Sequence, residues 1–115
     1  MKSKKTRKPT EDEIRLLEFL FRQAKDITIS SDWKKTIQVQ NMDDEGMGSL
    51  LLFENGIVSK EREFGSEVAS CYFQDIDNVT VSAALNVDTN GKIFEMDIWK
   101  TDFTPLIKIA TKFEV

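Results

Sequence analysis

The fold of this chain is decided by residues 78–100, which read NVTVSAALNVDTNGKIFEMDIWK. Apolar and polar residues alternate on both sides of Asn90-Gly91, a pattern typical of two half-buried β-strands. Asn-Gly between two alternating runs favours a two-residue type I′ turn, because both central residues of that turn need a positive φ. The stretch therefore predicts an antiparallel hairpin.

The predicted turn fixes the register of the two strands and so the face on which each side chain lies. The apolar face is formed by three cross-strand pairs, Val87–Phe94, Leu85–Met96 and Ala83–Ile98. The opposite face carries Ile93, Glu95, Asp97 and Trp99. One face of the hairpin is thus apolar along its length and needs a cover.

A second turn at residues 75–78 joins this hairpin to an earlier strand near residues 68–74. We expect a loop of two or four residues there, and both lengths give the same alternation. Val68 and Tyr72 then face the core, whereas Cys71 and Phe73 lie on the opposite face with Trp99. The three strands form an antiparallel meander.

Residues 10–25, TEDEIRLLEFLFRQAK, have the spacing of an amphipathic helix. Thr10 and Glu13 match a capping box, and the acidic first turn suits the helix dipole. Residues 36–42 alternate as a strand does, and residues 50–53 are a short apolar run. The fold class is therefore α+β, with the N-terminal helix packed on an antiparallel sheet of about four to five strands.

Composition excludes many kinds of active site. The chain has no histidine and one cysteine, Cys71, among 115 residues. The usual general base, the usual zinc ligand and any Cys-His pair are therefore missing, and a single cysteine permits no internal disulfide. We read Cys71 as a small core residue and predict no cofactor.

Charge is distributed unevenly along the chain. Residues 1–8 hold five of the 16 Lys and Arg and none of the 20 Asp and Glu, so residues 9–115 carry 11 basic and 20 acidic residues, a charge of −9. We predict a disordered basic tail over residues 1–9 and a single domain over residues 10–115. The acidic domain disfavours specific binding to nucleic acid. No apolar segment follows the basic start, so we predict a cytoplasmic protein without contact to a membrane.

Two groups of carboxylates are candidate functional residues. Glu95 and Asp97 lie two apart on one strand, beside Trp99 and Phe73 on the predicted outer face. Aromatic residues among acids are typical of a binding surface, although the same acids also suit a solvated sheet face. Asp43 and Asp44 lie in an acidic, glycine-containing connection. With Glu95 and Asp97 they form the alternative, a carboxylate-only site for magnesium or calcium.

Residues 86–97 also follow the spacing of a calcium-binding loop. We favour the hairpin, because the first position is Asn, the twelfth is Asp instead of Glu, and the flanks are strands instead of helices.

Near the end of the last strand, we expect Asp102 to accept a hydrogen bond from the indole of Trp99. That contact predicts a corner that holds the C-terminal segment on the sheet.

Two motifs resemble those of a family of small uncharacterised bacterial domains. They are Gly46-Met-Gly-Ser-Leu50 and, more specific, Asp97-Ile-Trp-Lys-x-Asp-Phe-x-Pro-Leu106. The resemblance covers nearly the whole chain and implies a bacterial source and a stand-alone domain. It implies no activity.

These observations favour a small non-enzymatic module that binds a basic protein partner through an acidic surface. Immunity proteins, which neutralise a toxin by binding it, are an analogy of type. The alternative is a carboxylate-only metal-assisted enzyme or a small-ligand-binding domain. We expect a monomer or a homodimer.

Overall fold

A computed structural model of the chain, which describes residues 5–57 and 61–115, has one long helix and five strands. The helices are α1 (Glu11–Gln23) and the single turn α2 (Trp33–Thr36), and a short 3-10 turn spans Glu54–Gly56. The strands are β1 (Gln38–Asn41), β2 (Leu50–Phe53), β3 (Phe64–Gln74), β4 (Thr80–Asp88) and β5 (Ile93–Lys100). The predicted α+β class and N-terminal helix are confirmed.

All five strands form one antiparallel sheet in the order β1-β2-β5-β4-β3. The predicted meander is β3-β4-β5, and the hairpin β1-β2 pairs with the free side of β5. Helix α1 packs on β3 and β4 and buries Leu16, Leu17 and Leu20 completely. We call the sheet face under α1 the inner face and the opposite one the outer face.

The start of α1 matches the prediction in detail. The Thr10 hydroxyl accepts from the Glu13 N–H at 3.2 Å, and the Glu13 carboxylate accepts from the Thr10 N–H at 2.8 Å. This reciprocal pair satisfies two backbone donors that a helix start leaves without partners.

The turn at Asn90-Gly91 differs from the predicted two-residue type I′ turn. Gly91 alone of the two has a positive φ (77°), its N–H donates to the Asp88 carbonyl at 2.9 Å, and the Asp88 N–H donates to the Lys92 carbonyl. The loop therefore has three residues, with a type I turn followed by a left-handed glycine. A bulge at Phe94 absorbs the extra residue, so Val87 pairs with Ile93, while the predicted register holds from Asn86–Glu95 onward.

The same loop type reverses the predicted faces of residues 71–73 in β3, whereas Val68, beyond a register irregularity, packs against the core as predicted. Residues 76–78 form a three-residue loop in which Asn78 has φ 64° and donates to the Asp75 carbonyl. An odd loop shifts the pairing by one residue and exchanges the faces. Phe73 and Cys71 consequently lie in the core at 2% and 1% exposure, whereas Tyr72 is 49% exposed on the outer face. Burial raises the pKa of Cys71 to about 11.

Terminal segments cover both edges of the sheet. Arg7 pairs with Val39 of β1 through two backbone hydrogen bonds, and Glu114 pairs with Tyr72 of β3 in the same way. Arg7, which was predicted to lie in a disordered tail, is therefore part of the folded domain. Residues 1–4 of that predicted tail lie outside the described residues. Covered edges present fewer free backbone groups to other chains.

No helix in the described part of the chain is long and apolar enough to cross a membrane.

Candidate functional site

The outer face of the sheet carries a row of exposed aromatic side chains. Tyr72 of β3 and Trp99 of β5 both pair with Ser82 of β4, and each aromatic side chain is 49% exposed. One step along the strands, Ala84 separates Ser70 from Asp97. Paired residues share a face, so the small side chains form a floor between larger walls. We call this surface the outer-face trough, with floor Ser82 and Ala84, walls Tyr72 and Trp99, and the exposed carboxylate of Asp97.

Phe103 extends the trough beyond the end of β5. Its ring lies 5.6 Å from that of Trp99, and the residue is 69% exposed. Its backbone has φ 65°, in the left-handed region that bulky residues avoid. The protein thus holds a large apolar side chain in solvent on a strained backbone.

Within residues 5–57 and 61–115, three turns have a residue in this left-handed conformation whose N–H closes the turn by the same kind of hydrogen bond. The N–H groups of Asn78, Gly91 and Phe103 donate to carbonyls three residues earlier, at 2.9 Å in each case. Asn and Gly are the residues that tolerate the conformation, because Gly lacks a Cβ and Asn forms local hydrogen bonds. Phe103 departs from this pattern at the turn beside Trp99.

Arg62 covers the other end of the outer face. Its guanidinium carbon lies 4.7 Å from the centroid of Phe53 and 4.9 Å from that of Phe94. The same group donates to the carbonyls of Leu52 and Ile93, where the ladder between β2 and β5 ends. Burial lowers the pKa of Arg62, and the charges of Asp88 and Glu95 oppose that shift. Glu95, which also accepts from Asn86 at 3.0 Å, is therefore engaged within the protein.

Lys100 is completely buried at the end of β5, beneath the trough. Its ammonium group donates to Asp75 at 2.9 Å, to Asp77 at 2.7 Å and to the Pro105 carbonyl at 3.3 Å. Burial alone would lower the pKa of Lys100, but the two carboxylates raise it above its ordinary value. The lysine therefore remains charged.

Asp75 joins the C-terminal segment to the β3–β4 turn. Its side chain is fully buried and accepts from the N–H groups of Ile107 and Lys108 at 2.8 and 3.0 Å. Burial alone would raise the pKa of Asp75, but these hydrogen bonds and Lys100 hold it below its usual range. This contact replaces the predicted corner: among the described residues no hydrogen bond joins Trp99 to Asp102, whose carboxylate accepts from the N–H and hydroxyl of Thr104.

The two motifs noted in the sequence contact one another around Lys100. A Cβ on Gly46 would lie 3.1 Å from Pro105, and one on Gly48 would lie 2.9 Å from Leu106, so both glycines permit close packing. The Leu106 N–H donates to the Gly46 carbonyl, and Met47 is buried beside Lys100. The motifs therefore build a structural junction.

The acidic candidates lie in two places. Asp43 and Asp44 line a cavity of about 370 Å³ with Arg7 and Ser49, and Asp44 accepts from the Ser49 N–H at 2.8 Å. Asp97 lies on the outer face and accepts a long hydrogen bond, 3.4 Å, from the Ser49 hydroxyl of this region. Within residues 5–57 and 61–115, no three acidic or cysteine side chains are grouped closely enough to hold a metal ion.

Of the predicted site residues, the outer face therefore brings together Trp99, Asp97 and Glu95, with Asp102 on the following turn. Phe73 belongs to the core, and Tyr72 takes its place. The positions of Phe103, Arg62 and the Lys100–Asp75 pair were not predicted from the sequence. The composition of Thr101-Asp102 could have indicated a turn before Phe103. Nothing in the sequence predicts a positive φ for the phenylalanine itself.

Residues 6–110 match the model of a family described as a domain of unknown function, DUF6984. The chain belongs to this family. The match begins next to Arg7, where the chain joins the sheet, and ends after the C-terminal segment held by Asp75. No curated protein and no solved structure gives a significant match.

Proposed function

We propose that this DUF6984 protein is a non-enzymatic module that binds a basic protein partner through the outer-face trough and Phe103. The observation that carries the proposal is Phe103 itself. A left-handed backbone costs a bulky residue about 1 kcal/mol, and an exposed phenyl ring loses the benefit of burial. Strained residues in sparsely populated φ/ψ regions cluster at functional sites. Contact with a partner would bury the Phe103 and Trp99 rings together.

Charge supports a basic partner. The chain from residue 9 onward carries 20 acidic against 11 basic residues. At the trough, Asp97 is exposed and forms no ion pair with any described residue, and Asp102 is exposed on the turn before Phe103. Acidic surfaces raise the association rate of basic proteins by electrostatic steering. Aromatic anchors with a charged rim suit a protein interface.

The bacterial source, the cytoplasmic location and the analogy to immunity proteins predicted from the sequence belong to this proposal. A toxin is one class of basic partner that this surface suits. The outer-face trough would bind such a partner through its positive charge and its fit to the aromatic side chains. A folded protein surface is favoured over nucleic acid, because carboxylates at the trough repel phosphate.

The alternative, a carboxylate-only enzyme, has weaker support. Asp44 and Asp97 both bond to Ser49, but Glu95 bonds to Asn86, and no three carboxylates of residues 5–57 and 61–115 form a group that could hold a metal ion. Asp44 and Glu95 already accept hydrogen bonds from Ser49 and Asn86. A binding role requires no such group of carboxylates.

Affinity capture from an extract of the source cell tests the proposal. The wild-type protein, a Tyr72→Ser/Trp99→Ser double variant and a Phe64→Ser control are immobilised in parallel. Phe64 is a matched control because it is 55% exposed and lies at the far end of the strand that carries Tyr72. We expect a basic protein that the wild type and the control retain, that the double variant loses, and that added salt releases. Equal retention by the double variant would refute the proposal.

A further inference from the structure

We propose, on the basis of that function, that the partner presents an arginine whose guanidinium stacks between Tyr72 and Trp99 above Ser82, with Asp97 as its charge partner. The proposal assigns a specific side-chain chemistry to the trough. The assignment of an arginine can be wrong while the outer-face trough is still a protein interface.

The molecule already contains one arginine held by aromatic rings on this sheet face. The centroids of Phe53 and Phe94 lie 4.7 and 4.9 Å from the guanidinium carbon of Arg62, so the two rings are at most about 10 Å apart. Arginine suits such a position because its guanidinium is planar, weakly hydrated and stacks on aromatic faces. This fold therefore already holds a guanidinium against two aromatic rings that are no more than about 10 Å apart.

The backbones of Tyr72 and Trp99 lie about 10 Å apart. They lie on β3 and β5 with β4 between them, and two strand spacings are about 10 Å. The residue between them is Ser82, whose short side chain leaves the space above it open. The strand spacing therefore leaves room for one planar group between the two walls.

The charge at the trough selects a cation. Asp97 is a diagonal neighbour of Ser82, and diagonal neighbours on a sheet face lie about 7–8 Å apart, within reach of a long side chain. A carboxylate at that distance accepts the N–H groups of a guanidinium that already stacks on Trp99. Aromatic rows on open sheets also stack nucleic acid bases, but Asp97 disfavours the accompanying phosphate.

A peptide titration followed by NMR tests this assignment with the full-length protein. The probe is acetyl-Gly-Ser-Arg-Ser-Gly-amide, and its matched control carries citrulline, which replaces one guanidinium nitrogen by oxygen and removes the charge. Signals of ¹⁵N-labelled protein, including the two indole N–H groups, are followed for the wild type, Trp99→Ser, Tyr72→Ser and Phe64→Ser. Trp33 is 9% exposed and serves as the internal reference for Trp99.

We expect the arginine peptide to shift the Trp99 indole and the amides of Tyr72, Ser82 and Asp97. Its affinity should exceed that of the citrulline peptide by about tenfold, the value of one desolvated cation–π contact with a charge partner. Tyr72→Ser and Trp99→Ser should each weaken binding, and Phe64→Ser should not. Equal affinity for the two peptides, shifts outside the trough, no binding at about 10 mM peptide, or the same shifts with a single-stranded oligonucleotide would overturn the assignment. A captured basic partner that still needs Tyr72 and Trp99 would then leave the proposed function standing.

Discussion

At the scale of single residues, Phe103 combines a left-handed backbone with an exposed ring, and two other turns of the molecule use Asn78 and Gly91 for the same conformation. If the ring serves a partner, its cost falls on the stability of the free protein. Stability and binding should therefore respond to its replacement in opposite directions.

Phe103→Asn tests this expectation. Asn adopts the left-handed conformation more easily, so we expect a free energy of unfolding about 0.5–1 kcal/mol higher in urea denaturation, together with loss of partner capture. Ile76→Asn, at an exposed turn residue without a positive φ, is the control and should change neither quantity. A Phe103→Asn protein that is clearly less stable than the wild type would show that the ring has a structural role.

The Lys100–Asp75 pair is the second feature at this scale. Asp75→Asn leaves the buried ammonium with one carboxylate and weakens the two hydrogen bonds to the C-terminal segment. Breaking such a buried pair costs about 3 kcal/mol. Asp77→Asn is the matched change, because that carboxylate is 37% exposed and contacts the same ammonium. We expect it to cost under about 1 kcal/mol in the same urea experiment. Similar losses from the two variants would contradict the assigned role of Asp75.

Asp75 also predicts how stability depends on pH. Its pKa is lower in the folded protein than the ordinary value of about 3.9 in an unfolded chain. The unfolded state therefore binds the proton first as pH falls, so the stabilisation is present above about pH 4 and is lost as pH falls through the folded-state pKa. Unfolding midpoints measured between about pH 2 and 7 should fall less steeply for Asp75→Asn than for the wild type. Parallel curves would refute this source of acid sensitivity.

At the scale of elements, local patterns predict which segments are strands and which is the helix. The capping box of α1 and the pairing of β4 with β5 beyond Asn86 follow directly from them. The conformations of the two hairpin loops were harder to predict from the sequence, since Asn-Gly, for example, suits both a type I′ turn and a type I turn followed by glycine. The loop at residues 76–78 has an odd number of residues, so Phe73 lies in the core and Tyr72 on the outer face, the reverse of the prediction. Tyr72 therefore belongs to the candidate site in place of Phe73.

The junction of the two motifs gives a prediction at the same scale. Gly48 and Gly91 both have a positive φ, of 95° and 77°. A Cβ on Gly48 would lie 2.9 Å from Leu106, whereas a Cβ on Gly91 would have no other atom within 4 Å. Gly91→Ala should cost about 1 kcal/mol through backbone strain alone. Gly48→Ala should cost up to about 1 kcal/mol more, because the Cδ2 methyl of Leu106 must move to admit the new Cβ. Equal melting temperatures for the two variants would contradict the packing role of Gly48.

At the scale of the whole molecule, the terminal segments complete the domain. Arg7 pairs with β1 and bonds to Glu13, while Phe113 packs on Phe19 and Phe73 and Glu114 pairs with β3. Neither segment has a periodic pattern, so the sequence did not indicate these contacts. The acidic charge of the domain was readable from composition, but its relation to an aromatic row depends on strand order and register, which bring Tyr72 and Trp99 to either side of Ser82.

Site-specific photo-cross-linking in the source cell tests the central claim, that the surface around Phe103 and Trp99 contacts a basic protein. A photoreactive benzoyl-phenylalanine is placed at position 103 and, in a second protein, at position 64, where the native Phe64 is also more than half exposed. We predict a discrete adduct with one basic protein from position 103, reduced by excess unlabelled wild type, and no such adduct from position 64. An absence of any adduct at position 103, or the same adduct from both positions, would contradict the claim.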